Sequence, residues 1–285
     1  MTTHGFDARR FKAIERSGFN RIAARYAQGA AMRSALADAL IAAAGLAPGQ
    51  RVLDLASGPG LLAREVARRV QPEGWVLASD IAEGMLAEGR GRAQDELPPA
   101  ICARLSYAAA DGEQLCLCDA SVDRVLAGLA LFMFPHPERA LRECHRVLRP
   151  GGRIALSVWG ARATVPLISH AQDCITRLLP QPRVARPSVF RFGDPGALET
   201  ALSAAGFARI HVAPVRWTSH FVDADAYWQA FLDLAGGAAE SLAQLPAATQ
   251  AQLRTAIAHD LQAHHDPQHG GYSMTSQALV ATARV

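Results

Sequence analysis

Lysine is almost missing from this 285-residue sequence: Lys12 is the only one, and every other basic residue of the 29 is an arginine. A catalytic Tyr-x-x-x-Lys pair is therefore excluded. Long apolar runs are missing too. The longest, residues 125–134, falls far short of the roughly 20 residues a membrane span requires, and residues 1–10 lack the apolar core of a signal peptide. A cytoplasmic protein without a membrane span is the expectation. Charge of one sign is scarce as well, since a net charge of +3 carried by scattered arginines offers no basic patch for nucleic acid. The five cysteines form an odd set, and Cys116-Leu-Cys118 has the spacing of neither a zinc knuckle nor a redox C-x-x-C. Reduced structural thiols and no metal follow. His264, His265 and His269 also lack ligand spacing and read as a solvated loop.

What is present belongs to a folded chain: half the residues are hydrophobic and 19% charged. A chain of this length can bury about three quarters of the surface it exposes when unfolded. Residues 11–44 read as helical, with Ile14, Phe19, Ile22, Tyr26, Leu36 and Leu40 recurring at helical steps until Gly45 and Pro48-Gly49 end the pattern. From Arg51 short apolar runs alternate with amphipathic stretches. Strands are expected at 51–55, 75–79, 104–108, 122–126 and 153–159, and helices at 61–70, 83–92 and 137–148. That order argues for a parallel sheet covered on both faces. A stretch containing Pro166, Pro180, Pro182 and Pro187 reads as an insertion, after which Asp194-Pro195 opens another helix with Asp194 as its cap. Two last strands, 207–221 and 272–282, flank a mostly helical stretch at 224–264 and suit an antiparallel pair closing the sheet.

The run Val52-Leu53-Asp54-Leu55-Ala56-Ser57-Gly58-Pro59-Gly60 puts a carboxylate near the end of a strand and two glycines before a helix. Glycine removes the Cβ that would keep a ligand from the backbone, so this is a nucleotide-type turn. Asp80 stands twenty residues after Gly60 at the end of the next strand, where a carboxylate accepts hydrogen bonds from ribose hydroxyls, with Ile81 and Met85 placed to line a base. Ala110-Asp111-Gly112-Glu113 follows the third strand. All three elements sit at carboxyl ends of strands, where open α/β sheets bind ligands. Each also has a purely structural use, as a tight turn, a helix cap or a turn residue. Their joint spacing is what points to a ligand.

With VLDLASGPG, the strand ending at Asp80, ADGE, and RVLRPGGRIALSVW from Arg146 to Trp159, the sequence resembles the class I S-adenosylmethionine-dependent methyltransferases. The likeness is to the ubiquinone/menaquinone-biosynthesis-like group with the methyltransferase type 11 domain, and it covers residues 19–207. It implies an α/β, Rossmann-like fold with a mostly parallel seven-stranded sheet, an antiparallel last strand and helical lid insertions. It implies four parts: an N-terminal helical lid (1–49), a cofactor-binding core (50–160), a helical insertion (161–193) and a C-terminal part of the sheet with an acceptor-side insertion (194–285). S-adenosylmethionine is the implied cofactor. Asp54 and the backbone of Ala56, Ser57, Gly58 and Gly60 would hold its methionine end, and Asp80 its ribose. Asp111, with the backbone of Gly112 and Glu113, would frame the adenine. Ala127, Gly128 and Leu129 would lie beside the sulfonium, and Asn20, Arg25 and Tyr26 would be lid contacts. Where the family often has D-x-G-x-G-x-G, this chain has Ala56 and Ser57.

The implied activity is methyl transfer to oxygen, carbon or nitrogen of a small, hydrophobic or aromatic acceptor, with a homodimer as the assembly to test. His136, after the fourth strand, is the candidate base, or else simply begins a helix. Trp159, Phe190, Phe192, Trp217, Tyr227, Trp228 and Phe231 are candidates for an acceptor wall or for core. Two alternatives stay open. Gly58-Pro59-Gly60-Leu61-Leu62-Ala63 also spells the G-x-G-x-x-A of an NAD(P)-dependent oxidoreductase, and the same fold can bind the cofactor without transferring methyl.

Overall fold

Helix α1 (Ala8–Gln28) begins the computed structural model, which describes residues 6–180 and 184–285. Residues 1–5 and 181–183, with Pro182 and parts of the 1–49 and 161–193 segments, lie outside the described residues. The helical run expected over 11–44 is broken. α1 stops at Gly29, a 3-10 turn spans Gly29–Arg33, and α2 (Ser34–Ala44) follows. Arg33 reaches back to donate to the Tyr26 carbonyl at 3.0 Å, satisfying one of the acceptors that a helix end leaves open. α2 ends at Gly45 in the left-handed region, as its sequence implies.

The alternation that follows is β1 (Arg51–Leu55), α3 (Leu61–Arg69), β2 (Trp75–Asp80), α4 (Glu83–Glu96), the short α5 (Pro99–Cys102) and β3 (Leu105–Ala109). β4 (Val122–Gly128), α6 (Pro137–Val147) and β5 (Leu148–Trp159) complete the first half. Then come α7 (Pro166–Leu178), α8 (Pro195–Ala204) and β6 (Ala208–Phe221). The helices α9 (Ala224–Leu234), α10 (Gly237–Ala243) and α11 (Ala247–Asp260) precede the last strand, β7 (Tyr272–Arg284). The seven strands form one sheet in the order β3-β2-β1-β4-β5-β7-β6. β1 to β5 pair in parallel, and β7 enters antiparallel between β5 and β6.

Strand alternation divides the core between the two faces. Leu53, Leu55, Val125, Ile154 and Leu156 pack on one side, and Val52, Leu126 and Ala155 on the other. β5 starts earlier than the strand expected at 153–159: it already begins at Leu148, opposite Val122, and the register then shifts before Arg153 meets Arg124. Asp194 caps α8 as expected, its Oδ1 accepting from the Ala197 amide at 2.9 Å. His264 departs from the solvated-loop reading, because it is partly buried against His170 with 2.6 Å between Nε2 atoms, whereas His265 and His269 are exposed. No helix among the described residues is long and apolar enough to cross a membrane.

The strand ends are shaped by strained backbone. Ala56 after β1 (φ 52°) and Leu129 after β4 (φ 51°) both adopt the left-handed conformation that costs a residue with a side chain about 1–3 kcal/mol. α4 passes so close above the turn between them that a Cβ on Gly89 would lie 3.0 Å from the Pro59 carbonyl carbon. Gly89→Val is expected to destabilise the fold by about 1–3 kcal/mol, the usual cost of overpacking; urea denaturation measures it, and unchanged stability would show that α4 can retreat from the turn.

Candidate active site

Strands β1 to β4 end at one edge of the sheet, and a cleft of about 820 Å³, counted to its open mouth, lies over that edge. Ala56 and Gly58 line it after β1, Asp80 and Ile81 after β2, with Met85 from α4. Ala110, Asp111 and Gly112 line it after β3, and Gly128, Leu129 and Ala130 after β4. α1 crosses the top and contributes Phe11, Lys12, Glu15, Phe19 and Tyr26. The loop from β4 to α6 contributes Met133, Phe134 and Pro135.

Asp80 organises the first wall. Its Oδ2 accepts from the Gly58 amide at 2.9 Å and its Oδ1 from the Ala82 amide at 2.8 Å. Burial pushes its pKa above the ordinary carboxylate value, and these amides temper the rise. Each carboxylate oxygen has a second acceptor site, so Asp80 retains capacity for a pair of ligand hydroxyls. The turn amides do not: Ser57 donates to the Ser79 carbonyl, Gly58 to Asp80, and Gly60 to the Ser57 carbonyl. What Gly58 offers a ligand is its missing side chain, since a Cβ there would stand in the cleft 3.6 Å from the Tyr26 ring.

Asp54 lies behind this wall. It is fully buried, it does not line the cleft, and neither carboxyl oxygen has a hydrogen-bond partner of normal geometry. Burial, aided by the charge of Asp80 and only tempered by the Ala63 amide, pushes its pKa up to about 8. At neutral pH it is mostly the neutral acid.

The third acidic element is held by the single lysine. Lys12 Nζ donates to Asp111 Oδ2 at 2.7 Å and to Glu113 Oε2 at 2.6 Å. Burial works against its charge, but these two bonds outweigh it and raise its pKa. Glu113 turns its other oxygen to the His136 amide at 2.7 Å, so its carboxylate points off the cleft wall. The His136 ring is also off that wall, with its Nδ1 3.7 Å from Glu138. The geometry therefore gives no support to His136 as a base.

α1 docks through residues four apart, which share a helix face. After Lys12 comes Arg16, which grips Glu83 through both carboxylate oxygens at 2.8 and 2.6 Å and lowers its pKa to about 2. Next comes Asn20, whose Oδ1 accepts from the Gly84 amide at 2.7 Å and so caps the open first turn of α4. Of the three lid residues singled out in the sequence, only Tyr26 lines the cleft; Arg25 instead approaches Asp233 at 3.8 Å.

The structure brings Tyr26, Ala56, Gly58, Asp80, Ile81, Met85, Asp111, Gly112, Gly128 and Leu129 together on one cleft, and leaves Asp54, Ser57, Gly60, Glu113 and Ala127 behind it. Sequence reasoning missed Phe11, Lys12 and Glu15, although the α1 pattern 11, 15, 19, 22, 26 was a signal that its inward face begins before Asn20. None of the seven aromatic candidates for an acceptor wall lines the cleft. Trp159 packs at 5.9 Å against Trp217, and Tyr227 is fully buried with its hydroxyl accepting from the Ala171 amide. Phe11, Phe19, Met133 and Phe134 supply the apolar wall instead. Among the described residues no group of three or more His, Cys, Asp or Glu gathers as a metal site.

Residues 53–156 match the family model described as a methyltransferase domain. The chain is 42% identical over 117 residues to the ubiquinone/menaquinone biosynthesis C-methyltransferase UbiE of Bordetella avium, a stretch covering 40% of this chain and 43% of that protein. The UbiE of Pseudomonas putida (strain GB-1) is 32% identical over 178 residues, covering 58% of this chain and 68% of that one. The chain thus spans less than half the length of the Bordetella relative and about two thirds of the Pseudomonas one. The crystal structure of YcgJ from Bacillus subtilis shares the fold with a TM-score of 0.60 at 18% identity, over 87% of this chain and 97% of that one.

The family model and the two UbiE relatives define one class, the S-adenosylmethionine-dependent methyltransferases of class I. The chain belongs to their UbiE-like group, which removes the nicotinamide reading of its glycines. S-adenosylmethionine is accordingly its cofactor, and the site fits that molecule: Asp80 has free acceptor capacity facing the cleft, Gly58 leaves a slot beside Tyr26, and the buried Asp54 carboxyl has no partner of its own.

Asp54 makes the ligand-free protein sensitive to pH. A folded pKa near 8 against an unfolded value near 3.8 means the folded state holds a proton that the unfolded state has lost, so stability falls as pH rises from about 4 to about 8. Asp54→Asn removes that dependence. Relative to the variant, the wild type is expected to lose stability by a few kcal/mol at most across this window, read from melting curves at pH 5, 6.5 and 8; parallel curves would show that Asp54 ionises normally.

Proposed function

We propose that this chain transfers the methyl group of S-adenosylmethionine to a small, mainly apolar acceptor held between α1 and the loop after β4. One observation carries the reading: a single cleft joins Asp80, Asp111 and the Gly58 slot to an apolar wall of Phe11, Phe19, Met133 and Phe134. In this reading Asp80 accepts the ribose hydroxyls, Ile81 and Met85 cover the adenine, and Asp111 with the backbone of Gly112 and Glu113 frames its edge. Ala127, Gly128 and Leu129 border the methionyl group. Asp54 and the turn from Ala56 through Ser57 and Gly58 to Gly60 shape the methionine end. The parts 1–49, 50–160, 161–193 and 194–285 then act as lid, core, insertion and closing part of the sheet, the last contributing no lining residue to the cleft.

The bound sulfonium supplies the electrophile. The chain's task is to hold two reactants in register, which alone can contribute about 7–11 kcal/mol of barrier lowering, and to keep water out. α1 does the second by laying aromatic side chains over the cleft while its charged residues bond at the periphery. The apolar character of the acceptor follows from that lining and from the UbiE relatives, whose name places them in quinone biosynthesis.

Isothermal titration with S-adenosylhomocysteine and NADH tests the cofactor, and formation of S-adenosylhomocysteine with apolar and with highly charged acceptors tests the transfer. Exclusive use of charged acceptors would overturn the acceptor class, and no turnover with a retained cofactor would favour a binding role. Asp80→Ala is expected to weaken S-adenosylhomocysteine binding by about 1.5–3 kcal/mol, the value of hydrogen bonds to a charged group; unchanged affinity would remove Asp80 from the ribose.

A further inference from the structure

The loop from β4 to α6 carries partly buried backbone groups that no strand or α-helix satisfies. After the 3-10 turn Leu131–Met133 it runs through Phe134 and Pro135 to His136, the residue that caps α6. Met133, Phe134 and Pro135 line the cleft, so the path of this loop decides where the apolar wall stands. Backbone polar groups in such a place need partners, and two charged side chains from other parts of the chain supply them.

Arg191 serves the carbonyls. Its Nη2 donates to the Leu131 carbonyl at 3.3 Å and also to the Phe134 carbonyl. Arg191 belongs to the insertion 161–193, from which no described residue lines the cleft. Its guanidinium lies 5.3 Å from the Phe192 ring, and burial pulls its pKa down while Glu138 and Glu113 oppose that shift. Keeping a charge in these surroundings is costly unless it is hydrogen-bonded, and the loop carbonyls provide those bonds.

Glu113 serves the amide. Its side chain is only 5% exposed, and both oxygens are engaged: Oε1 accepts from the His136 amide at 2.7 Å and Oε2 from Lys12 at 2.6 Å. Hydrogen bonds to an ionised group are about twice as strong as neutral ones. Between the two anchors the Phe134 ring lies against the turn after β3, where a Cβ on Gly112 would come within 2.6 Å of Phe134 Cε1. The turn assigned to the adenine edge therefore also backs the apolar wall.

We propose that Arg191 and Glu113 are positioning residues for the acceptor: one holds the loop 131–136 by its carbonyls, the other by its last amide, and together they fix the Met133–Phe134 wall. This rests on the methyltransferase reading, with the acceptor against that wall. It gives the insertion a part in the site at one remove, through a single arginine. It also makes the two anchors interdependent, because a loop released at one of them gains less from the other.

The test uses the full chain saturated with S-adenosylhomocysteine. Amide hydrogen exchange is followed by mass spectrometry, and 2-naphthol, an apolar ring taken as acceptor probe, is titrated by its fluorescence. The amides of Met133, Phe134 and His136 are hydrogen-bonded in the wild type and are expected to exchange slowly. Arg191→Met and Glu113→Ala are each expected to speed exchange over 131–136 at least tenfold, with β1 and β4 unchanged, and to weaken naphthol binding at least fivefold. Arg191→Met is expected to keep its S-adenosylhomocysteine affinity within threefold. Arg191→Lys and Glu113→Gln, which each retain a group able to bond the loop, are expected to fall between these variants and the wild type. Combining Arg191→Met with Glu113→Ala is expected to cost less than the product of the single losses. Unchanged loop exchange in either single variant overturns the proposal, as does faster exchange throughout the chain, which marks a general loss of stability. So does a loosened loop with unaltered naphthol affinity, a wild type that binds no naphthol, or fully multiplicative losses in the double variant. Failure of S-adenosylhomocysteine itself to bind the wild type would instead overturn the methyltransferase reading.

Discussion

The bond from the Gly58 amide to the Asp80 carboxylate is the constraint on which the site depends. A carboxylate at the end of a buried parallel strand must find donors, and the nearest are the amides of its own following turn and of the turn after the neighbouring strand. To present its amide there, the chain leaving β1 passes through left-handed backbone at Ala56 and Gly58. That bend opens the slot beside Tyr26 and brings α4 down onto Pro59. Asp80 thereby fixes the shape of the cleft before any ligand arrives, while one lone pair on each of its oxygens remains to meet one.

α1 completes the cavity by a division of labour along its length. Positions 12, 16 and 20 carry the polar bonds to the loop after β3 and to α4, all around the rim. Positions 11, 19 and 26 carry rings that face inward. Only Glu15 breaks the apolar rule inside, and it sits where Gly18 of α1 packs against Gly237 of α10. Because the rim bonds are partly exposed, each contributes modestly, so the lid is aligned by polar contacts but held mainly by its apolar face.

Legibility in the sequence follows the range of the interactions involved. β1, β2, β4, the glycine turn and the Asp194 cap carry local sequence signals, and their positions could be read to within a residue or two. The mostly parallel seven-stranded sheet with a reversed last strand followed from the family likeness, whereas its strand order came from the structure. The break at Gly29 was not legible, because the helical period continues across it and the carbonyl it frees is satisfied by Arg33 from outside the helix. The acceptor wall was misread for the same reason. Trp159 and Trp217 come from strands that pair through β7, so their mutual packing cannot be seen from either neighbourhood. Lys12 was visible as the only lysine, but its partners are about a hundred residues away.

Asp54 and Glu15 illustrate two states of a buried carboxyl. Asp54 lies behind the wall with no cation near it, and its cheapest state without ligand is the neutral acid. Glu15 has Arg186 beside it, which favours the charged form, and its Oε1 is sealed within the protein. The two buried carboxyls therefore differ because only Glu15 has a cation beside it to offset burial.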